Sequence, residues 1–229
     1  GHIRLVLGRN GRRKGRRIVG TAGGTQVQLD PVRLLTNKSS GKQGYALAQA
    51  ALDVGGTVVL VSTPTSLSTP VGARLFSVGT AQEMMEVVLA ESAGVDALIM
   101  AAAVTDFRPK QVAENKLKKR DGIPEVELEV VPDILAAVTG MGVQRPRVVI
   151  GFAAESRDLL KNAEAKLKAK KLDMIVANDI SAADSGFGVD TNRVTLLFSD
   201  SSKQTLSLMS KQEVAEGIIA RLAVLLEIQ

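Results

Sequence analysis

The sequence predicts an α/β fold: a Rossmann-like, three-layer arrangement with a mainly parallel sheet and a late antiparallel β-hairpin. Three features point there. Short β-branched apolar runs alternate with stretches of helical spacing along most of the 229 residues. Loops rich in small residues follow the apolar runs. Near the end, two strand-like runs flank a polar turn.

The elements follow in order. "RRIVGTA" (16–22) is a short apolar strand that runs into a glycine loop. "GYALAQAALDVG" (44–55) spaces alanine and leucine as a helix does and stops at Gly55-Gly56. "TVVLVST" (57–63) is β-branched with an unbroken apolar centre, as a parallel strand covered on both faces should be. "ARLFSV" (73–78) is a further strand. "TAQEMMEVVLAESAG" (80–94) is a helix, with Thr80 as N-cap and Glu83 completing a capping box. "DALIMAAAV" (96–104) is another buried strand, and a basic, proline-marked segment follows over 105–124. "EVELEVV" (125–131) alternates like a strand with one wet face, and "PDILAAVTG" begins a helix with Pro132 in its first turn. "RVVIGFAAE" is a buried strand, 156–172 an amphipathic helix, and "DMIVAND" the strand after it. "RVTLLFSD" (193–200) and "TLSLMS" (205–210) make the hairpin at the sheet edge. Ser210 and Glu213 then cap a last helix from 211 to about 226.

Composition excludes several chemistries. There is no cysteine, so disulfides and thiolate metal sites are out. The one histidine, His2, lies at the chain's start, which removes imidazole triads and His-based zinc sites. Apolar residues make up 45% and aromatics only 3%, so valine, alanine and leucine must fill the core. The net charge of +5 is a property of the first 17 residues, which hold seven Arg or Lys and no acid. The remainder carries 22 basic and 24 acidic side chains. Residues 1–17 therefore read as a basic linker and 18–229 as the domain. A basic arm can also bind nucleic acid, but near-absent aromatics and an acidic remainder argue against base stacking. No apolar run approaches the ~20 residues of a membrane span, and a soluble, cytoplasmic protein is expected. The chain begins with Gly and in mid-pattern, as a fragment of a longer protein would.

In open α/β sheets, ligands sit beyond the C-terminal strand ends. Those ends carry "TAGGT" (21–25), "STPTS" (62–66), "AAAVTDFRP" (101–109), "GFAAES" (151–156) and "ANDIS" (177–181). Small residues at all five suggest a nucleotide-sized site, with Gly23-Gly24 as a phosphate cradle. The spacing of Gly20, Gly23 and Gly24 is wrong for G-x-G-x-x-G, and no acid ends the second strand to hold a ribose. A dinucleotide-dependent reductase is therefore the weaker reading. "SSGKQG" has no P-loop spacing. In the basic segment, Asp106 stands just past a buried strand, where a carboxylate can hold Mg²⁺ against phosphate oxygens. Lys110, Lys116, Lys118, Lys119 and Arg120 follow it and would neutralise a polyphosphate on a mobile flap. Lys166 and Lys170 lie on one helical face.

Together "TAGGT", "DPVRLLTNKSSGKQGYALA" (30–48), "AAAVTDFRP", "ENKLKK" (114–119), "VVPDIL" (130–135), "GFAAES" and "VANDIS" resemble the phosphopantothenoylcysteine synthetase family, the phosphopantothenate–cysteine ligases of coenzyme A biosynthesis. Seven motifs agree in order and spacing over residues 18–181. Val27 and Gln28 stand where the family often has an acid and a proline, and Thr105 where alanine is common.

The resemblance implies a CTP-dependent ligase acting with Mg²⁺ on 4′-phosphopantothenate and L-cysteine through an acyl-cytidylate. It implies a homodimer paired partly through the late hairpin. It also implies an N-terminal flavin-dependent decarboxylase domain before this one, with neither nucleic acid nor membrane as partner. By resemblance, Asn37 is the catalytic amide of the second step and Lys116 the flap lysine that grips the triphosphate. Asp106 is the carboxylate near metal and nucleotide. Ser39 and Gly41 offer donors to phosphate. Met100, Ala101 and Ala102, with Val130, Val131 and Pro132, offer backbone contacts to the nucleotide. Phe152 packs near base or ribose, and Lys166 and Lys170 complete the CTP site.

Overall fold

The computed structural model describes Arg4 and residues 15–228, apart from Ser156, Ala182, Ala183 and Phe187. Most of the proposed linker, residues 1–17, lies outside the described residues. Of its basic side chains, Arg4 meets Asp53 and Arg16 meets Asp96, at 2.6 and 2.7 Å.

Eight strands form one sheet: β1 (Arg17–Ala22), β4 (Thr57–Ser62), β5 (Arg74–Ser77), β6 (Ala97–Met100), β9 (Val148–Glu155), β10 (Met174–Asp179), β11 (Thr191–Phe198) and β12 (Lys203–Ser210). Their spatial order is β12-β11-β10-β9-β6-β1-β4-β5. The pairs from β10 through to β5 are parallel. Those joining β10, β11 and β12 are antiparallel, so the late hairpin is the predicted edge. Two ribbons stand apart from the sheet: β2 (Gln26–Asp30) with β3 (Arg33–Thr36), and β7 (Phe107–Pro109) with β8 (Leu128–Val130).

Helices cover both faces. On one lie α1 (Lys42–Asp53) and α5 (Lys211–Ile228); on the other lie α2 (Ala81–Ser92), α3 (Ile134–Thr139) and α4 (Leu159–Ala169). The side-chain alternation of a strand explains the two cores. Ile18, Leu60, Ile99 and Ile150 point into the first layer, against Leu47 and Ile218. Their neighbours Val19, Val61, Leu98 and Val149 point into the second, against Met84 and Leu167. Each such burial is worth roughly 1.5–3 kcal/mol, which is why these strands read as unbroken apolar runs.

The capping boxes form as expected. Thr80 Oγ1 accepts from the Glu83 N–H at 3.2 Å, and Glu83 Oε2 accepts from Thr80 N–H at 2.9 Å. The Thr80 and Gly79 N–H groups hold the Glu83 carboxyl below its ordinary range. Ser210 and Glu213 repeat the pattern at the start of α5.

Several boundaries differ. Pro132 is outside α3, because the Asp133 side chain accepts from Ala136 N–H at 2.8 Å and makes Asp133 the N-cap. β6 stops at Met100, since Ala102 N–H turns to Thr21 Oγ1 (3.0 Å) and Ala103 bridges Gly24. The strand expected over 125–131 shortens to β8, and the helix over 156–172 to α4. The β2–β3 ribbon, absent from the sequence expectations, is set by its turn: Asp30 accepts from the Val32 and Arg33 N–H groups, both at 2.8 Å.

Among the described residues, no helix is long and apolar enough to cross a membrane.

Candidate active site

A cleft of about 750 Å³ opens beyond the C-terminal ends of β6, β9 and β10, next to β1, where the strand order reverses. Asn37, Ser39, Gly41, Met100, Ala101, Ala102, Asp106, Val130, Val131, Pro132, Phe152 and Lys166 all line it. The residues named as a site by sequence thus meet on one surface, with two exceptions. Lys116 is exposed on the strap between β7 and β8 and does not line the cleft. Lys170 follows α4 and reaches the cleft only through Asp133, whose Oδ2 lies 2.8 Å from its Nζ.

One wall is the 37–43 segment leading into α1. Gly41 is the N-cap of a helix that starts at Lys42, two residues before the predicted start near Gly44, and its φ of 77 is a left-handed conformation that suits glycine. A Cβ there would sit 2.8 Å from Thr65 Cγ2. Ser39, Ser40 and Gly41 therefore lie at the positive end of a twelve-residue helix that opens on the cleft. Gly23 and Gly24 do not line the cleft. They are buried against Thr63 and the Asn37 carbonyl, and Gly23 C=O accepts from Ala103 N–H at 2.8 Å. The expected phosphate cradle is instead a support beneath the Asn37 loop. The "STPTS" loop is likewise outside the lining.

Asn37 projects across the cleft floor. Its Nδ2 donates to the Ala103 and Val104 carbonyls at 3.1 and 3.2 Å. Both amide protons are committed there, so an incoming oxygen could take one only if a donor is released.

The far wall carries charge. Burial depresses the Lys166 ammonium, and nearby Asp133, Glu155 and Asp106 oppose that effect. Its Nζ donates to the Phe152 carbonyl at 2.8 Å. Burial raises the Asp133 carboxyl, but the Lys170 bond, the Ala136 N–H and both lysine charges hold it below its ordinary value. Asp106 is exposed beside this wall. Among the described residues no three acids or histidines gather as a metal cage. One carboxylate on an open cleft instead suits Mg²⁺ carried in with phosphate oxygens.

Sequence reasoning missed the end of the cleft formed by Asn178, Gly186, Asn192 and Lys211. Lys211 is 7% exposed; its Nζ donates to the Gly186 and Val189 carbonyls at 3.0 and 2.6 Å. Burial depresses this ammonium, and the charge of Lys42 adds to the effect. Lys42, unassigned from sequence, pairs with Asp190 at 2.6 Å. Gln43 links the two sides, donating to Lys211 C=O and accepting from Asn192, both at 3.1 Å. "VANDIS" flagged the Asn178 loop, but nothing in a lysine at a helix start announces its burial.

The family model described as the DNA/pantothenate metabolism flavoprotein C-terminal domain matches residues 13–225. The chain belongs to this family. Relatives agree with that family assignment. The coenzyme A biosynthesis bifunctional protein CoaBC of Vibrio vulnificus strain YJ016 is 50% identical over 159 residues, 69% of this chain and 39% of that protein. CoaBC of Bacillus subtilis strain 168 is 46% identical over 213 residues, 93% of this chain and 52% of that protein. The chain thus spans about half, or less, of the length of these bifunctional relatives. The crystal structure of the C-terminal domain of a CoaBC protein superposes with a TM-score of 0.81 at 39% identity, covering 95% of this chain and 98% of that one. The Rossmann-like fold of this flavoprotein C-terminal domain family is therefore the fold found here.

Proposed function

We propose that this chain joins 4′-phosphopantothenate to L-cysteine at the expense of CTP, forming 4′-phosphopantothenoyl-L-cysteine, CMP and pyrophosphate in coenzyme A biosynthesis. The observation that carries the reading is the convergence of Asn37, the Ser39–Gly41 helix start, Asp106 and Lys166 on one cleft, in a chain whose bifunctional relatives are named for coenzyme A biosynthesis.

The substrate carboxylate attacks the α-phosphorus of CTP. An O–P bond forms, the bond to the β-phosphate breaks and pyrophosphate leaves. The amine of cysteine then attacks the acyl carbon of the acyl-cytidylate, the C–N bond forms, a proton is lost and CMP departs. Neither step needs a strong base, which fits a site without histidine. The α1 N-terminus, Lys166 and Lys116 supply positive charge to the phosphates, with Lys170 acting through Asp133. Mg²⁺, with Asp106 as its protein ligand, would neutralise phosphate charge. Asn37 serves the acyl oxygen in the second step once an amide proton is freed from Ala103 or Val104. Met100–Ala102, Val130–Pro132 and Phe152 line the same cleft, where their backbone and the Phe152 ring would contact the nucleotide.

We infer a homodimer as the working form. Large exposed apolar side chains concentrate on the two ribbons and the strap between β7 and β8: Val32, Leu34 and Leu35, then Phe107, Ile123, Leu128 and Val130. All four β3 residues are exposed. An apolar two-stranded ribbon needs cover, and these ribbons are a better face for a second copy than the late hairpin, where Leu208 is the large apolar residue exposed on β12. In the full-length protein, taken as cytoplasmic, a flavin-dependent decarboxylase domain would precede this one; that the relatives it matches are bifunctional and about twice its length or more supports this.

The reading is tested by incubating the protein with CTP, Mg²⁺, 4′-phosphopantothenate and cysteine, then identifying products by mass. Ligated product with stoichiometric CMP supports it; CMP without ligated product contradicts it.

A further inference from the structure

The turn between β2 and β3 uses more of one carboxylate than a turn requires. Asp30 is fully buried. Its Oδ1 accepts from the Val32 and Arg33 N–H groups, both at 2.8 Å, and that alone closes the turn. Its Oδ2 has other partners. It accepts from Arg33 Nε at 2.9 Å, from Arg33 Nη2 at 2.6 Å, and from the backbone N–H of Leu117, 87 residues away, at 3.1 Å. The same Nη2 donates to the Leu117 carbonyl. One ion pair therefore holds both polar groups of a residue on the strap. A second tie lies upstream, where Ala113 N–H donates to Leu29 C=O at 3.1 Å. Lys116 sits between the two ties. A fully buried carboxylate is tolerated only when its lone pairs are satisfied, and here part of that satisfaction comes from the strap.

We propose that Asp30, through Oδ2 and Arg33, is a positioning residue that fixes where the strap presents Lys116. The inference rests on reading Lys116 as a group that grips the nucleotide phosphates. The β2–β3 ribbon then connects both candidate catalytic side chains: β3 runs directly into Asn37, and its turn clamps the residue next to Lys116. If Oδ2 served only the ribbon's own stability, its loss would have no special relation to Lys116.

Asp30→Asn suits the test. The amide oxygen can replace Oδ1 and keep the turn, whereas an NH₂ in place of Oδ2 cannot accept from Arg33 or Leu117. Hydrogen exchange across 113–118 should quicken about tenfold while β1 and β6 are unchanged. The rate of pyrophosphate formation should fall about tenfold with KM for cysteine unaltered, and the same change in a Lys116→Gln background should cost nothing further. Unaltered exchange, or losses that multiply in the double variant, would overturn the proposal. A full rate in Lys116→Gln alone would overturn the reading of Lys116 instead, because the exchange measurement does not depend on catalysis. Should Asp30→Asn fail to fold, Arg33→Lys keeps the charge without the fork to both partners and gives the same two readouts.

Discussion

The side-chain amide of Asn37 donates to the backbone carbonyl of Ala103 at 3.1 Å, joining the loop before α1 to the loop after β6 across 66 residues. With the parallel bond to Val104, this fixes the amide above the cleft floor and keeps its protons in reserve. Such an amide matters most when a negative oxygen appears that can compete for a donor. Asn37→Ala should therefore slow the cysteine step by about 100-fold and pyrophosphate formation far less. Single-turnover assays with and without cysteine separate the two, and equal loss in both would remove the role assigned to Asn37.

Lys166 is a half-buried cation facing the cleft, and its Nζ donates to the neutral Phe152 carbonyl. An anionic ligand would repay its burial. Replacing Lys166 by Met should weaken CTP binding about ten- to a hundredfold, the range expected for one charge-assisted bond, as read by calorimetric titration. Unchanged affinity would place the phosphates elsewhere.

Asp30 makes stability depend on pH. Burial would raise its carboxyl, but the Val32, Arg33 and Leu117 donors hold it far below 3.8. A carboxyl depressed on folding contributes stability that is present above its unfolded value and is lost as pH falls through the folded one. Asp30→Asn should therefore lower the urea midpoint at pH 7, and the gap from the parent should narrow as pH drops below 3.8. A gap independent of pH would show that the charge is not what the ribbon uses.

The exposed ribbon predicts its own test. Leu35 is 51% exposed beside Leu34 and Val32. Leu35→Asp should shift the protein from dimer to monomer in sedimentation while leaving its circular dichroism intact. A parent protein that is already monomeric at micromolar concentration would contradict the dimer.

The fold was legible because its central strands are covered twice. Val19 and Leu60 are buried on opposite faces of the sheet, so the centres of their strands are apolar at consecutive positions. The capping boxes at Thr80 and Ser210 were legible because both partners sit in one local stretch. The β2–β3 ribbon was not, because most of its side chains are exposed and the carboxylate that closes its turn has a distant partner at Leu117. Within the site, the residues assigned by family resemblance were found, apart from Lys116 and Lys170, which do not line the cleft, and Gly186, Asn192 and Lys211 were missed. Lys211 begins a helix, a position where lysines are ordinarily solvated, and only the loop folded over it buries it. Gly23 and Gly24 misled for the opposite reason. Glycines at a strand end serve tight packing as readily as phosphate approach, and here they pack against Thr63 and the Asn37 carbonyl.

The central claim is activation of a carboxylate by a nucleoside triphosphate in this cleft, and pyrophosphate release measures it most directly. The protein, CTP, Mg²⁺ and 4′-phosphopantothenate should give a burst of pyrophosphate without cysteine and steady turnover once cysteine is added, with ATP run in parallel to report nucleotide preference. Absence of pyrophosphate with either nucleotide at saturating substrates would contradict the account.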